Sequence, residues 1–282
     1  MGEASNESPT LRMRRLDGAA LEIAEVLRDR RIVTLFQPIV DPKSRGLYGC
    51  EALTRGPSNS WLHAPQNLFE AARRAGILHE LDFHCIDAAF RRFATGKASC
   101  RLFLNVSPET IYDTPEFAAR LRTMAQAAAM PLGRCVLELT EDSLVEDYRR
   151  LRAILQPLRD AGCEIAIDDL GAGTSGLRTW SEIRPDYVKI DRYFITGIDS
   201  DPTKHEFVRS IIDMGRAIGS RVLAEGVETE TESRELLELG VDFLQGYFFG
   251  RPEPEIRSSA EQTETLERWV GTQTALCAEH LA

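Results

Sequence analysis

Apolar and polar positions along the chain predict eight strands, most of them separated by a helix. Short apolar runs mark the strands, and longer segments with an apolar residue every three or four positions mark the helices. The first two strands, at 33–40 and 46–53, flank a turn at 41–43, which predicts an antiparallel hairpin. The other strands are expected at 101–106, 135–140, 163–167, 187–191, 221–225 and 243–249.

This order of elements predicts an α/β fold, a (β/α)8 TIM-like barrel with an antiparallel first strand. A doubly wound open sheet is the alternative, but the chain has no glycine-rich dinucleotide fingerprint to support it. We expect residues 1–16 to form a flexible tail and 17–255 to form the barrel, whose first helix would be capped by Asp17. Residues 256–282 are expected to form a C-terminal helix that packs on the barrel or on a partner, and an alanine-rich helix should run from Ser107 to about Met130.

Composition narrows the class of protein. The formal net charge of −10 argues against a protein that coats DNA, RNA or an anionic membrane. The six cysteines form no CxxC pair and several lie in apolar strand patterns, which indicates reduced thiols. The chain shows no signal peptide and no apolar run long enough for a membrane span, so we expect a cytoplasmic protein.

Polar residues follow the predicted strands at the ends where a barrel carries its chemistry. From the second strand onward, each strand ends at a carboxylate, an amide or an ammonium group. Oxygen ligands of this kind favour Mg²⁺ or Mn²⁺ over zinc. In chain order these residues are Glu51, Asn105, Glu138, Asp168 with Asp169, Lys189, Glu225 and Gln245.

The adjacent pair Asp168-Asp169 directs attention to a metal site, because like charges side by side are relieved by a divalent cation. The carboxylates are too numerous for one ion, which favours two ions bridged by Asp168, the usual arrangement for phosphodiester hydrolysis. Lys189 would hold the nucleophile or neutralise the acids. A single-metal, enolase-like barrel with Lys189 as the base is the alternative interpretation of the same residues.

Ordered motifs between about residues 20 and 255 resemble the EAL-domain cyclic di-GMP phosphodiesterases. The resemblance implies the same barrel and the hydrolysis of one phosphodiester bond of cyclic di-GMP to linear pGpG, in bacterial second-messenger signalling. The motifs are Gln37-Pro38-Ile39-Val40, Cys50-Glu51-Ala52-Leu53-Thr54-Arg55, Asn105-Val106-Ser107, Glu138-Leu139-Thr140-Glu141, Asp168-Asp169, Val188-Lys189-Ile190-Asp191, Ala224-Glu225-Gly226-Val227-Glu228-Thr229 and the segment Gln245–Pro252.

The resemblance also implies roles for individual residues, together with two Mg²⁺ or Mn²⁺ ions and a homodimer. The first ion would be held by Glu51, Asn105, Glu138 and Asp168, and the second by Asp168, Asp169 and Glu225. The implied catalytic residues are Glu225 as general base, Lys189 beside the attacking water, and Asp169. Substrate contacts are implied at Gln37, Leu53, Arg55, Gln245 and Glu228. Glu141 would anchor the loop after Asp169, which the family uses to couple metal binding to dimer formation.

Two other functions remain as alternatives. A catalytically weak or inactive receptor would bind cyclic di-GMP and act through protein contacts. Such receptors lose metal carboxylates or the lysine, and this sequence retains all of them, which favours the enzyme. The third possibility is a protein-interaction module that acts through the C-terminal helix.

The loop after Asp169 departs from the family's common form DDFGTGYSSL, because Leu170, Ala172, Thr174 and Gly176 replace Phe, Thr, Tyr and the second Ser. We expect a softer loop, with turnover that is weaker or more dependent on dimerisation or a partner. Restoring the family residues with Ala172→Thr and Gly176→Ser should raise the turnover of cyclic di-GMP. An unchanged rate would contradict the hypothesis.

Overall fold

The computed structural model describes residues 9–96, 100–140, 147–171 and 176–256, with side chains described from residue 18 onward. It divides into two compact units. One comprises the residues up to Thr34 together with Thr54–Ala88, and the other comprises Leu35–Leu53 and the residues from Ala89 onward.

Eight strands close into a barrel in chain order. Each strand from the second to the seventh pairs in parallel with the next, whereas the first pairs antiparallel with the eighth, with Ile39 opposite Gln245. The first strand is therefore also antiparallel to the second, and the predicted barrel with an antiparallel first strand is confirmed. The strands are β1 Val33–Asp41, β2 Gly46–Arg55, β3 Arg101–Asn105, β4 Cys135–Thr140, β5 Glu164–Leu170, β6 Tyr187–Ile190, β7 Arg221–Ala224 and β8 Phe243–Gln245.

Helices connect most of the strands, as the periodicity predicted. Glycine ends α2 and α9 in the left-handed conformation, with φ of 69° at Gly76 and 84° at Gly219, which L side chains rarely adopt. The helices are α1 Pro9–Arg28, α2 Pro65–Ala75, α3 Leu78–Thr95, α4 Pro108–Asp113, α5 Phe117–Ala127, α6 Tyr148–Asp160, α7 Gly176–Ile183, α8 Arg192–Ile195, α9 Pro202–Ile218 and α10 Glu230–Leu239.

Two helix predictions need correction. Helix α1 begins at Pro9, so Asp17 lies inside it and does not cap it; proline is compatible with a first helical turn. The alanine-rich helix is divided into α4 and α5, because Pro115 disfavours helical geometry at Thr114, which is extended with φ −96° and ψ 108°. Residues 1–8 of the predicted tail and 257–282 of the predicted C-terminal helix lie outside the described residues.

Several strand ends also differ from the prediction, and those of β5, β7 and β8 bear on the position of polar residues. Strand β5 continues through Asp168 and Asp169 to Leu170, with an irregular register between Ile167 and Leu170, so the two aspartates belong to the end of the strand. Strands β7 and β8 end earlier than predicted, at Ala224 and Gln245. Glu225 therefore lies one residue beyond its strand.

The end of the barrel where the parallel strands begin is filled by a packed network. The Tyr48 ring stacks on Phe243 at 3.9 Å between centroids, and the Tyr187 hydroxyl donates to Glu164 Oε2 at 2.9 Å. Arg221 Nη2 lies 2.5 Å from Glu164 Oε1. Because these aromatic and charged side chains occupy this end, the opposite end, where the parallel strands finish, is the one that can hold a reaction site.

The unit that comprises the residues up to Thr34 and Thr54–Ala88 has its own apolar core. Trp61 Nε1 and Ser60 Oγ both donate to the Glu22 carboxylate, at 2.8 and 2.5 Å, and hold the short helical turn at 61–63 against α1. The core of this unit consists of Ile23, Val26, Leu27, Leu62, Leu68, Ala71, Ala72, Leu81 and Cys85. Among the described helices, none combines the length and apolarity that crossing a bilayer requires.

Candidate active site

The buried ammonium of Lys189 stands at the centre of the carboxylates that end the strands. Lys189 lies on β6 and is wholly inaccessible to solvent. Its Nζ atom lies 2.6 Å from Glu225 Oε1, 2.7 Å from Glu138 Oε1 and 2.8 Å from Asp168 Oδ1. Glu51 Oε2 is the fourth carboxylate oxygen, at 3.5 Å. Strands β2, β4, β5 and β6 and the residue after β7 thus meet at one point.

Amide side chains fix the Glu51 carboxylate on its other side. Asn105 Nδ2 donates to Glu51 Oε1 at 2.8 Å, and Gln245 Nε2 donates to Oε2 at 2.7 Å. Burial alone would raise the pKa of Glu51, but the Lys189 charge and these hydrogen bonds together lower that pKa. Gln245 Nε2 also lies 3.3 Å from Gln37 Oε1, so the structure brings Gln37, Asn105 and Gln245 together with the carboxylates.

The other carboxylates are shifted in the opposite direction. Burial raises the pKa of Glu138 and of Glu225 well above its usual value, against the attraction of the Lys189 charge. Burial also raises the pKa of Asp168. Burial and the neighbouring Asp168 charge raise the pKa of Asp169 to about 6. These carboxyl groups therefore hold protons more strongly than exposed ones do.

Lys189 itself remains charged. Burial alone would lower the pKa of its ammonium group, but the surrounding carboxylates raise that pKa well above its usual value. The site thus combines one fixed positive charge with several carboxylates that compete for it.

The carboxylate oxygens form two groups that share Asp168. Glu51, Glu138 and Asp168 each offer an oxygen within 4.8 Å of the others, and so do Asp168, Asp169 and Glu225. Both Glu138 oxygens are buried and accept no aligned hydrogen bond from the described residues, and Oε1 lies 2.7 Å from the Lys189 ammonium. Buried hard-oxygen acceptors of this kind fit divalent cations such as Mg²⁺ or Mn²⁺.

The remaining predicted residues are placed less centrally. Glu228 is partly exposed and forms an ion pair with Arg192, at 2.8 Å from Nη2 to Oε1, and Leu53 is partly exposed on β2. Arg55 belongs to the compact unit that includes Thr54–Ala88, where its Nη1 donates to the Thr54 carbonyl at 2.8 Å. Glu141 and residues 172–175 of the loop after β5 lie outside the described residues.

Two residues near the site were not singled out from the sequence. Arg192 pairs with Glu228, and the buried carboxylate of Glu232 accepts hydrogen bonds from the loop that follows Glu225. The order Thr229-x-x-Glu232 is a capping-box pattern and could have indicated Glu232. For Arg192 the sequence offers no comparable signal.

The chain is similar to known proteins. The family model of the EAL domain matches residues 20–252. The probable cyclic di-GMP phosphodiesterase PdeI of Escherichia coli is 35% identical over 242 residues, which are 83% of this chain and 30% of PdeI. The chain spans about a third of the length of the curated relatives it matches.

Solved structures of similar fold match the chain as well. The manganese/cy-diGMP complex of Klebsiella pneumoniae BlrP1 is 30% identical with a TM-score of 0.72, over 79% of this chain and 56% of that one. The c-di-GMP-bound form of a standalone EAL protein from Vibrio cholerae is 28% identical with a TM-score of 0.73, over 83% and 97% of the two chains. The profile match over most of the chain, together with the barrel and its carboxylates, shows that the chain belongs to the EAL-domain family.

Proposed function

We propose that this protein is a metal-dependent phosphodiesterase that hydrolyses one bond of cyclic di-GMP and releases linear pGpG. The observation that carries the proposal is the convergence of carboxylates from separate strands on Lys189, in two groups that share Asp168. The names of its relatives, which include cyclic di-GMP phosphodiesterases and complexes with that nucleotide, support the choice of substrate.

The residues assigned to the ions follow the two carboxylate groups. Glu51, Asn105, Glu138 and Asp168 would hold one ion, and Asp168, Asp169 and Glu225 the other. Asn105 uses its amide nitrogen on Glu51, which leaves its carbonyl oxygen as the ligand atom. Two Mg²⁺ or Mn²⁺ ions would supply activation of a water nucleophile and stabilisation of the charge that develops on the phosphoryl oxygens.

The chain's own residues would handle the proton and the substrate. Glu225, with its raised pKa, is suited to accept a proton from the attacking water, and the Lys189 ammonium beside it would hold that water in place. Asp169 completes the catalytic set next to Asp168. Substrate contacts are proposed at Gln37, Leu53, Arg55, Gln245 and Glu228, with the planar fork of Arg55 suited to a phosphate.

We also propose that the protein acts as a homodimer in the cytoplasm. The free, buried thiols of the five described cysteines suit a reducing compartment.

On α9, Phe207, Ile211, Met214 and Ile218 follow a spacing of four, three and four residues, which forms one apolar stripe. Phe207 and Ile218 are each 56% exposed.

The charged side chains of α9 leave the stripe itself apolar. Glu206 pairs with Arg209, and Asp213 pairs with Arg216 at 3.0 Å, within the helix. An exposed apolar stripe of this kind can meet the same stripe of a second copy across a two-fold axis.

The first prediction of the proposed function concerns hydrolysis itself. The 282-residue chain, incubated with cyclic di-GMP and Mg²⁺ or Mn²⁺, should form pGpG, which chromatography measures. Because Glu51 is assigned to the first ion, Glu51→Ala should reduce the rate by at least about 100-fold, more than the loss usual for residues outside the ligand set. The control is Asp160→Asn, an exposed carboxylate at the end of α6, which should leave the rate unchanged. Binding of the nucleotide without turnover under both metals would instead identify a receptor.

The second prediction concerns the charge balance. Lys189→Met leaves several buried carboxylates without their cation, and breaking a buried ion pair costs about 3–5 kcal/mol. We therefore expect a lower urea midpoint than wild type in the presence of a chelator, with part of the loss recovered by Mn²⁺. Lys43→Met is the matched control, because Lys43 is 74% exposed and pairs only at the surface with Asp242. Equal midpoints for Lys189→Met and wild type in chelator would refute the charge-balance argument.

The third prediction concerns the dimer. Phe207→Ser with Met214→Ser removes two of the four apolar side chains of the stripe, so the protein should sediment as a monomer where wild type sediments as a dimer. Leu21→Ser is the control, because Leu21 is 68% exposed but lies on α1. A wild-type protein that is monomeric at all concentrations tested would contradict the homodimer.

A further inference from the structure

Two loops leave the barrel beside each other, one after β6 and one after β7. The first begins next to Lys189, and the second begins at Glu225. Their starting points are joined by a hydrogen bond from the Glu225 backbone N–H to the Ile190 carbonyl, at 3.2 Å. Since Glu225 lies beyond the last residue of β7, its position depends on contacts made by the loop that follows it.

Glu232, on the first turn of α10, ties the two loops together farther along. Its carboxylate is buried, with a residue exposure of 4%. Oε2 accepts hydrogen bonds from the backbone N–H groups of Glu228 and Thr229, at 2.9 and 3.0 Å. Oε1 accepts one from Gly197, at 2.9 Å. One buried side chain therefore satisfies backbone donors from both loops.

These contacts exceed what a helix cap requires. In a capping box, the third helical residue accepts a hydrogen bond from the backbone N–H of the cap residue, here Thr229, whose hydroxyl accepts in return from Glu232 N. The bonds to Glu228 and Gly197 add nothing to that cap. Gly197 belongs to the turn after α8, so its bond links α10 to the loop that follows β6.

Arg192, on α8, also contacts the loop that follows β7. Its Nη2 lies 2.8 Å from Glu228 Oε1, and its aliphatic carbons lie against Gly226. A Cβ atom on Gly226 would lie 2.4 Å from Arg192 Cγ, and φ at Gly226 is +68°, so the turn directly after Glu225 admits only glycine without strain. The segment that follows Glu225 therefore contacts Arg192 of α8 at Gly226 and at Glu228.

We propose that Glu232 is a positioning residue for Glu225: it fixes the loop after β7 against the turn after α8 and so holds the Glu225 carboxylate at the shared metal site. The proposal rests on the assignment of Glu225 to the second ion in the proposed function. Glu232 itself does not touch the site. It acts through the backbone of the Glu228-Thr229 segment.

A purely structural role is the competing explanation, and the chain offers a matched control for it. Thr229→Ala removes the hydroxyl half of the capping box and should destabilise the start of α10, yet it leaves every Glu232 carboxylate contact in place. Glu232→Ala removes the ties to both loops. The two variants therefore separate helix capping from loop positioning.

The experiment measures Mn²⁺ binding to the 282-residue chain without substrate, by electron paramagnetic resonance of free Mn²⁺. Amide hydrogen exchange at Gly197 and pGpG formation are measured alongside. We expect Glu232→Ala to weaken Mn²⁺ binding by about tenfold or more, as outer contacts of metal ligands typically do, and to speed exchange at Gly197. Thr229→Ala should leave Mn²⁺ binding within about twofold of wild type. The kcat of Glu232→Ala should fall further than its KM rises.

Wild-type Mn²⁺ affinity in Glu232→Ala, or an equal loss in Thr229→Ala, would overturn the proposal. If Glu232→Ala does not fold, Glu232→Gln decides, because its amide keeps an acceptor for Glu228 and Thr229 but turns a donor toward Gly197. In Glu232→Gln, faster amide exchange at Gly197 together with Mn²⁺ binding weakened about threefold supports the positioning role. Unchanged Mn²⁺ binding in this variant overturns it. A wild-type protein that binds Mn²⁺ but forms no pGpG would refute the proposed function alone, and one that binds no Mn²⁺ would refute both.

Discussion

The attraction between one buried ammonium and the carboxylates around it is the interaction on which the site depends. Removing charges from water is costly, and a buried ion pair stabilises a protein only when its geometry and further hydrogen bonds compensate. Here Lys189 lies within 2.8 Å of three carboxylates, while Asn105 and Gln245 hold the fourth. The positive charge still cannot neutralise all of them, as the raised pKa values of Glu138 and Glu225, caused by burial, indicate. This excess of buried negative charge is what suits the site to divalent cations.

The sequence predicted most of the fold and the members of this cluster, because both follow from local regularities. Alternating strands and helices fix the barrel, and the barrel brings the ends of parallel strands to one face. A polar residue that ends an apolar strand is therefore placed without knowledge of its partners. This reasoning located Glu51, Glu138 and Lys189 directly. It also predicted the antiparallel start, since a short turn leaves room only for a hairpin.

What the sequence could not supply is the pairing of residues that are distant along the chain. Strand β5 passes through both aspartates with an irregular register, because contacts with β6 resume at Leu170, and the apolar pattern alone ended the strand earlier. The break at Pro115 was available in the sequence, but the alanine-rich composition around it favoured one continuous helix. The bond between Glu232 and Gly197 joins residues 35 positions apart, and a capping-box pattern specifies only its local half.

Mutual repulsion among the carboxylates also explains why some of them need support from outside their strands. Glu51, Glu138 and Asp168 lie within β2, β4 and β5, where ladder hydrogen bonds with neighbouring strands hold their backbones. Glu225 follows the end of β7, where its backbone N–H donates to the Ile190 carbonyl. A carboxylate that is pushed by its neighbours and carried by a loop stays in place only if the loop is fixed elsewhere. The hydrogen bonds of Glu232 and the ion pair of Arg192 hold the loop that carries Glu225. The electrostatics of the site therefore depends on the packing of the two loops.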